Sequence, residues 1–121
     1  MQLEMPTALV VDDDPSLRLL CRVNLELDGF TVREAGSVAA ARAAVDEARP
    51  DIVLLDVHLG SEESTPLLSE LRASRVPVAI VTGSADAEEW RSRADAVLTK
   101  PFAPQALIEV ARRLAAAKGE S

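Results

Sequence analysis

Tyrosine is missing from this chain of 121 residues, and its aromatics reduce to Phe30, Trp90 and Phe102. Cysteine and histidine occur once each, as Cys21 and His58. A lone cysteine excludes an internal disulfide framework, and one thiol with one imidazole cannot complete a zinc centre. Cys21 therefore reads as a small buried hydrophobe on a helix, in keeping with a reducing cytosol. No apolar run approaches the roughly 18 residues that a spanning helix needs. The start, MQLEMPTALVV, has no basic segment followed by a long apolar stretch and a cleavage site. Positive charge is also scarce: 13 Lys and Arg against 20 Asp and Glu leave a net charge of −7. That balance excludes the basic patch with which proteins neutralise phosphates, so neither nucleic acid nor an anionic membrane is expected as a direct partner. The expectation is a cytoplasmic protein. Repeats, low-complexity segments and an internal linker are absent as well, which leaves one small domain with its core at about residues 7–117. Such a length buries roughly two thirds of the unfolded surface and folds without staples. It excludes large multidomain catalysis.

What is present is a regular alternation. Short apolar runs stand at Ala8 to Val11, Thr31 to Arg33, Ile52 to Leu55, Val78 to Val81 and Ala96 to Leu98, and they read as five strands. Between them lie stretches of helical period. Leu19, Leu20, Val23 and Leu27 give the expected apolar face of a first helix. Val38, Ala41, Ala44 and Val45 give the second, Leu67, Leu68 and Leu71 the third, and Leu107, Val110 and Leu114 the last. A helix over Asp86 to Arg93 carries only Ala87 and Trp90 as apolar residues and is expected to be short. Pro15, Ser37 and Pro104 suit helix starts, whereas Gly29, Pro50 and Pro77 suit the exits into strands. Strand then helix, five times over, predicts an α/β fold: a parallel sheet covered by helices on both faces, with right-handed crossovers. Ligands of such sheets bind beyond the carboxyl ends of the strands.

Those ends carry the polar residues. ALVV runs into Asp12, Asp13 and Asp14, IVLL into Asp56, VAIV into Thr82 and AVLT into Lys100. One aspartate after a strand is ordinarily a cap or turn residue. Four of five strands delivering charged or hydroxyl groups to one rim are harder to assign to capping. Crowded carboxylates at Asp12, Asp13 and Asp56 repel one another and raise their proton affinity unless a cation neutralises them. Magnesium, which takes oxygen ligands and is typically held by one or two carboxylates beside a phosphate, is the economical choice. A carboxylate is a nucleophile at neutral pH, so Asp56 is a candidate for in-line attack on a phosphoryl group. Lys100 as a point charge and Thr82 as a hydroxyl donor suit the oxygens of the resulting acyl phosphate.

The ordered set VVDDDPSLR, IVLLD, VAIVTG and LTKPF resembles the receiver domain of two-component response regulators, and the resemblance covers nearly the whole chain. It implies a flavodoxin-like (βα)5 three-layer sandwich with strand order 2-1-3-4-5, residues 1–121 forming a single receiver domain. It implies that Asp56 is the phosphoacceptor, that Asp12 and Asp13 hold magnesium with Asp56, and that His58 offers its backbone carbonyl to the metal while its imidazole stays solvated. Thr82 and Lys100 would bind the phosphoryl oxygens, Asp14 would stand outside the site, and Lys100–Pro101 would be a cis peptide. The implied partners are a sensor histidine kinase or histidine phosphotransfer protein and a downstream protein target. The chain would be a phosphoaccepting switch that assists its own phosphorylation and dephosphorylation, not an enzyme, and no output domain is read in it.

The sequence also departs from that family's pattern. Asp56 is followed by Val57, His58, Leu59, Gly60, Ser61, Glu62, Glu63 and Ser64 in place of the usual Met-Pro and later Gly, so the loop there should differ. Val97 stands where a Tyr or Phe normally rotates with the threonine. The stretch from Thr82 to Lys100 is about one helical turn short, which puts signalling through the last two helices in question. Reordering of the loop near Thr82 to Ser84 is expected to replace the aromatic switch. Trp90 is either an exposed anchor for a partner or a packed cap over the last two strands. Competing readings are a phosphate-independent interaction module and a phosphatase resembling the haloacid dehalogenases. The second lacks an acidic pair after Lys100, since only Glu109 and Glu120 follow it.

Overall fold

A computed structural model describes residues 5–119; the side chains of Ser84 and of residues 117–119, and part of each expected tail, lie outside the described set. The chain alternates β1 (Thr7–Val11), α1 (Pro15–Leu27), β2 (Thr31–Ala35), α2 (Val38–Glu47) and β3 (Ile52–Asp56). It continues through β4 (His58–Leu59), β5 (Glu62–Glu63), α3 (Thr65–Ala73), β6 (Val78–Gly83), a 3-10 turn (Ser84–Asp86), α4 (Ala87–Arg91), β7 (Ala96–Lys100) and α5 (Pro104–Gly119). β2-β1-β3-β6-β7 form one sheet whose pairs are all parallel, the expected 2-1-3-4-5 order of its five long strands. The alternation of side chains along each strand divides the core in two. Leu9, Val11, Val53, Leu55, Val78 and Ile80 face α2, α3 and Trp90 of α4. Ala8, Val10, Ile52, Leu54, Ala79 and Val81 face α1 and α5. Strands buried on both faces read as continuous apolar runs, and this made them legible.

Helix starts follow the punctuation. Asp14 caps α1 through Ser16 N–H (2.9 Å) with Pro15 in the first turn, and Ser37 caps α2 through Ala40 N–H (3.1 Å). α4 has five residues, and its Ala87 and Trp90 are buried. Trp90 packs into the core beneath Arg93, whose guanidinium lies 4.4 Å from the ring centroid, so it is the packed cap and not an exposed anchor. The Lys100–Pro101 peptide is cis.

One expectation needs correction. The apolar face assigned to the first helix points outward: Leu19, Leu20, Val23 and Leu27 are 58%, 43%, 45% and 83% exposed, while Cys21 and Leu25 are buried against the sheet. α1 has apolar residues around most of its girth, so periodicity alone picked the wrong stripe. Burial pushes the Cys21 thiol up to about 11, as suits a core residue. The loop after Asp56, expected to differ from the family's pattern, is a short antiparallel hairpin in which Leu59 pairs with Glu62 and His58 with Glu63. Four residues of strand fall below what alternation can reveal.

Candidate functional site

β1 and β3 end side by side, Val11 opposite Leu55, so the residues beyond them share one edge of the sheet. Asp12, Asp13 and Asp56 meet there, each contributing a carboxylate oxygen within 4.8 Å of the others. Asp12 and Asp56 are buried, and Asp13 faces solvent. Lys100, at the end of β7, reaches Asp56 Oδ2 at 3.0 Å and Asp12 Oδ2 at 3.6 Å. Thr82 is buried one residue beyond Val81, the partner of Asp56 in the β3–β6 register. The His58 imidazole is exposed and stands outside the carboxylate cluster, and Asp14 is occupied as the α1 cap.

Each carboxylate is held by backbone. Asp12 Oδ1 accepts from Asp14 N–H (2.9 Å), Asp56 Oδ1 from His58 N–H (3.1 Å), and Asp13 Oδ2 from Gly60 N–H (2.9 Å). The backbone is fixed in turn. Arg18 Nη1 donates to the Asp12 carbonyl (2.6 Å) while its Nε pairs with Glu34 at 3.0 Å. Ser64, itself buried, donates its hydroxyl to the Asp56 carbonyl. Sequence reasoning missed Arg18, Gly60 and Ser64. Arg18 had a signal, one helical turn after the Asp14 cap; Gly60 and Ser64 depend on a hairpin that the sequence does not announce.

Electrostatically the pocket is overloaded. Burial, with the neighbouring Asp56 charge adding to it, raises the Asp12 carboxyl from 3.8 to about 6, although Asp14 N–H and Lys100 pull the other way. Desolvation works against the Lys100 ammonium, but its hydrogen bond to Asp56 and the charges of Asp56 and Asp12 hold it above the ordinary lysine value. Three carboxylates against one ammonium leave a deficit of two positive charges. A hard divalent cation matches both that deficit and an all-oxygen donor set, as magnesium requires. Asp12, Asp13 and Asp56 fit such an ion.

Comparison with known proteins agrees. The family model described as response regulator receiver domain matches residues 8–112. The chain is similar to a DNA-binding response regulator, MtrA, of Mycolicibacterium smegmatis, with 39% identity over 105 residues, 83% of this chain and 46% of that protein. It thus spans about half the length of the curated relatives it matches. Among solved structures it is similar to the receiver domain of NtrX from Brucella abortus (TM-score 0.84, 31% identity, 90% of this chain and 98% of that one). It is also similar to the chemotaxis response regulator CheY4 of Vibrio cholerae (TM-score 0.82, 25% identity, 92% and 99%).

Proposed function

Because the chain belongs to the response regulator receiver domain family, we propose that it accepts a phosphoryl group on Asp56 from a phosphohistidine and thereby changes its affinity for a protein partner. The observation that carries this reading is the convergence of Asp12, Asp13, Asp56 and Lys100 at one sheet edge. A carboxylate oxygen of Asp56 attacks phosphorus, the phosphorus–nitrogen bond breaks with its electron pair left on the imidazole, and an acyl phosphate forms. Lys100 orients Asp56 beforehand and balances the new charge afterwards, while the Thr82 hydroxyl donates to a phosphoryl oxygen. Asp12, Asp13, Asp56 and the His58 carbonyl would hold magnesium, whose chemistry here is to neutralise phosphoryl oxygens.

The donor is a sensor histidine kinase or a histidine phosphotransfer protein, and its docking face is α1. Leu19, Leu20, Val23 and Leu27 form an apolar stripe that a soluble monomer has no reason to display. The stripe continues through Leu20 into a groove of about 480 Å³ lined by Leu17, Lys100, Pro101 and Phe102. A helix laid along α1 would bring a phosphohistidine to Lys100 and Asp56. Residues 7–117 act as one receiver core, working in the cytoplasm without direct contact to nucleic acid or membrane. No helix among the described residues is long and apolar enough to cross a membrane.

Incubation with magnesium and a small phosphodonor, read by intact-protein mass, tests the reading. One added phosphoryl group is expected in the wild type and none in Asp56→Asn or after chelation. Absence of an adduct with both a small donor and a phosphohistidine protein overturns it in favour of a phosphate-independent interaction module.

A further inference from the structure

Glu62 has no part in the chemistry above, yet beside the buried Leu59 it gives the hairpin a second tie to the body of the fold, a hydrogen bond to α2. Its Oε1 accepts from Val38 N–H (3.2 Å), the first residue of α2, across 24 positions of sequence. Ser37 already satisfies Ala40 N–H, so the amino end of α2 carries one resident cap and a second from the hairpin. A carboxylate suits that place because the helix dipole is positive there and its first amides are free.

Glu62 also sits two residues after Gly60, across a turn of only two residues, because Leu59 and Glu62 are ladder partners. Gly60 takes φ +63° while Ser61 is not among the positive-φ residues, the pattern of a type II′ turn. In so tight a loop the Gly60 amide cannot be placed independently of the Glu62 backbone. That amide donates to Asp13 Oδ2 (2.9 Å). It is the one hydrogen bond to this exposed carboxylate among the described residues. Asp12 and Asp56 are instead held by amides two residues further along their own chain segments. Of the three, Asp13 alone takes its backbone donor from an element distant in sequence, 47 residues away.

We propose that Glu62 is a positioning residue for Asp13: by capping α2 it fixes the hairpin turn from which Gly60 N–H holds the Asp13 carboxylate beside Asp12 and Asp56. The inference rests on the pocket taking a divalent cation. A ligand held by a neighbouring donor binds more tightly than one that must be ordered on binding.

The test is magnesium titration of the full chain by calorimetry, with amide hydrogen exchange at Val38 and Gly60 followed by NMR. Glu62→Ala is expected to raise the magnesium dissociation constant about three- to tenfold, less than the loss seen for groups that touch a metal ligand directly. Both amides should exchange faster. Glu62→Gln keeps an oxygen that accepts from Val38 N–H and should restore affinity to within about twofold of wild type. Glu63→Ala removes the same charge from the next residue, which is exposed and makes no such cap, and should match the wild type. Wild-type affinity in Glu62→Ala, or a Glu62→Gln as weak as Glu62→Ala, overturns the inference. A wild type that binds no magnesium overturns the reading of the pocket itself.

Discussion

Two loops border the pocket, and they are built in opposite ways. The one after β3 is fastened: Leu59 is buried in the core, Ser64 bonds the Asp56 carbonyl, Gly60 bonds Asp13 and Glu62 bonds α2. The one after β6 leaves from Thr82 and exposed Gly83, the last residues of that strand, and runs through a 3-10 turn into a five-residue helix. Val97, half-buried against the α2–α3 side of the core, offers no aromatic ring to swing beside it. Local opening is cheapest where buried apolar contacts and tertiary hydrogen bonds are fewest. On the proposed function, ligand positioning is expected of the loop after β3 and movement on phosphorylation of the loop after β6.

The largest effect should come from unfastening the first loop. Leu59→Ala removes a side chain that is 3% exposed and should cost about 2–3 kcal/mol in chemical denaturation, as for other buried leucines. Ala85→Gly, exposed in the second loop, should cost less than about 1 kcal/mol. Similar losses at both positions would erase the contrast.

Protons should act next, at Asp12 beyond the end of β1. In the metal-free protein the Asp12 carboxyl keeps its proton to about pH 6, against 3.8 for the free side chain. Between those values the folded state binds more protons than the unfolded one. The protonated carboxyl thus contributes stability that is complete below 3.8 and is lost as pH rises through about 6. Magnesium needs the ionised form, so its affinity should fall by about tenfold for each pH unit below that point. Titrations at pH 7, 6 and 5 measure this, and a constant affinity would mean either that Asp12 is ionised throughout or that it is not a ligand, which the Asp12→Asn variant separates.

This division was only partly legible beforehand. β1, β3 and β6 announced themselves through unbroken apolar runs and β2 and β7 through shorter ones, and the residues at their carboxyl ends followed from chain order alone. Asp12, Asp13, Asp56 and Lys100 were therefore legible in the sequence. Leu19, Leu20, Val23 and Leu27 were legible as a stripe but not as to what it faces, because one periodicity describes a core face and a docking face alike. Glu62 and Gly60 were illegible for a different reason. Their roles arise from hydrogen bonds across 24 and 47 residues, which no local pattern encodes.

The finest test uses one substitution twice. Gly60 holds φ +63°, where a side chain is strained, and an added Cβ would lie 3.8 Å from Asp13 Oδ2. Gly60→Ala should therefore destabilise by about 1–2 kcal/mol and weaken magnesium binding with it. Gly83 lies outside the positive-φ region, and an added Cβ meets nothing within 4 Å. Gly83→Ala should stabilise by about 0.4–1 kcal/mol, because the alanine has less freedom to lose when the chain folds. Its magnesium affinity should match the wild type. If movement on phosphorylation does belong to the loop after β6, Gly83→Ala should also diminish the chemical-shift changes that phosphorylation produces at Thr82. Gly60→Ala, once saturated with magnesium and phosphorylated, should leave those changes intact. The reverse pattern would assign movement to the hairpin and positioning to the loop after β6.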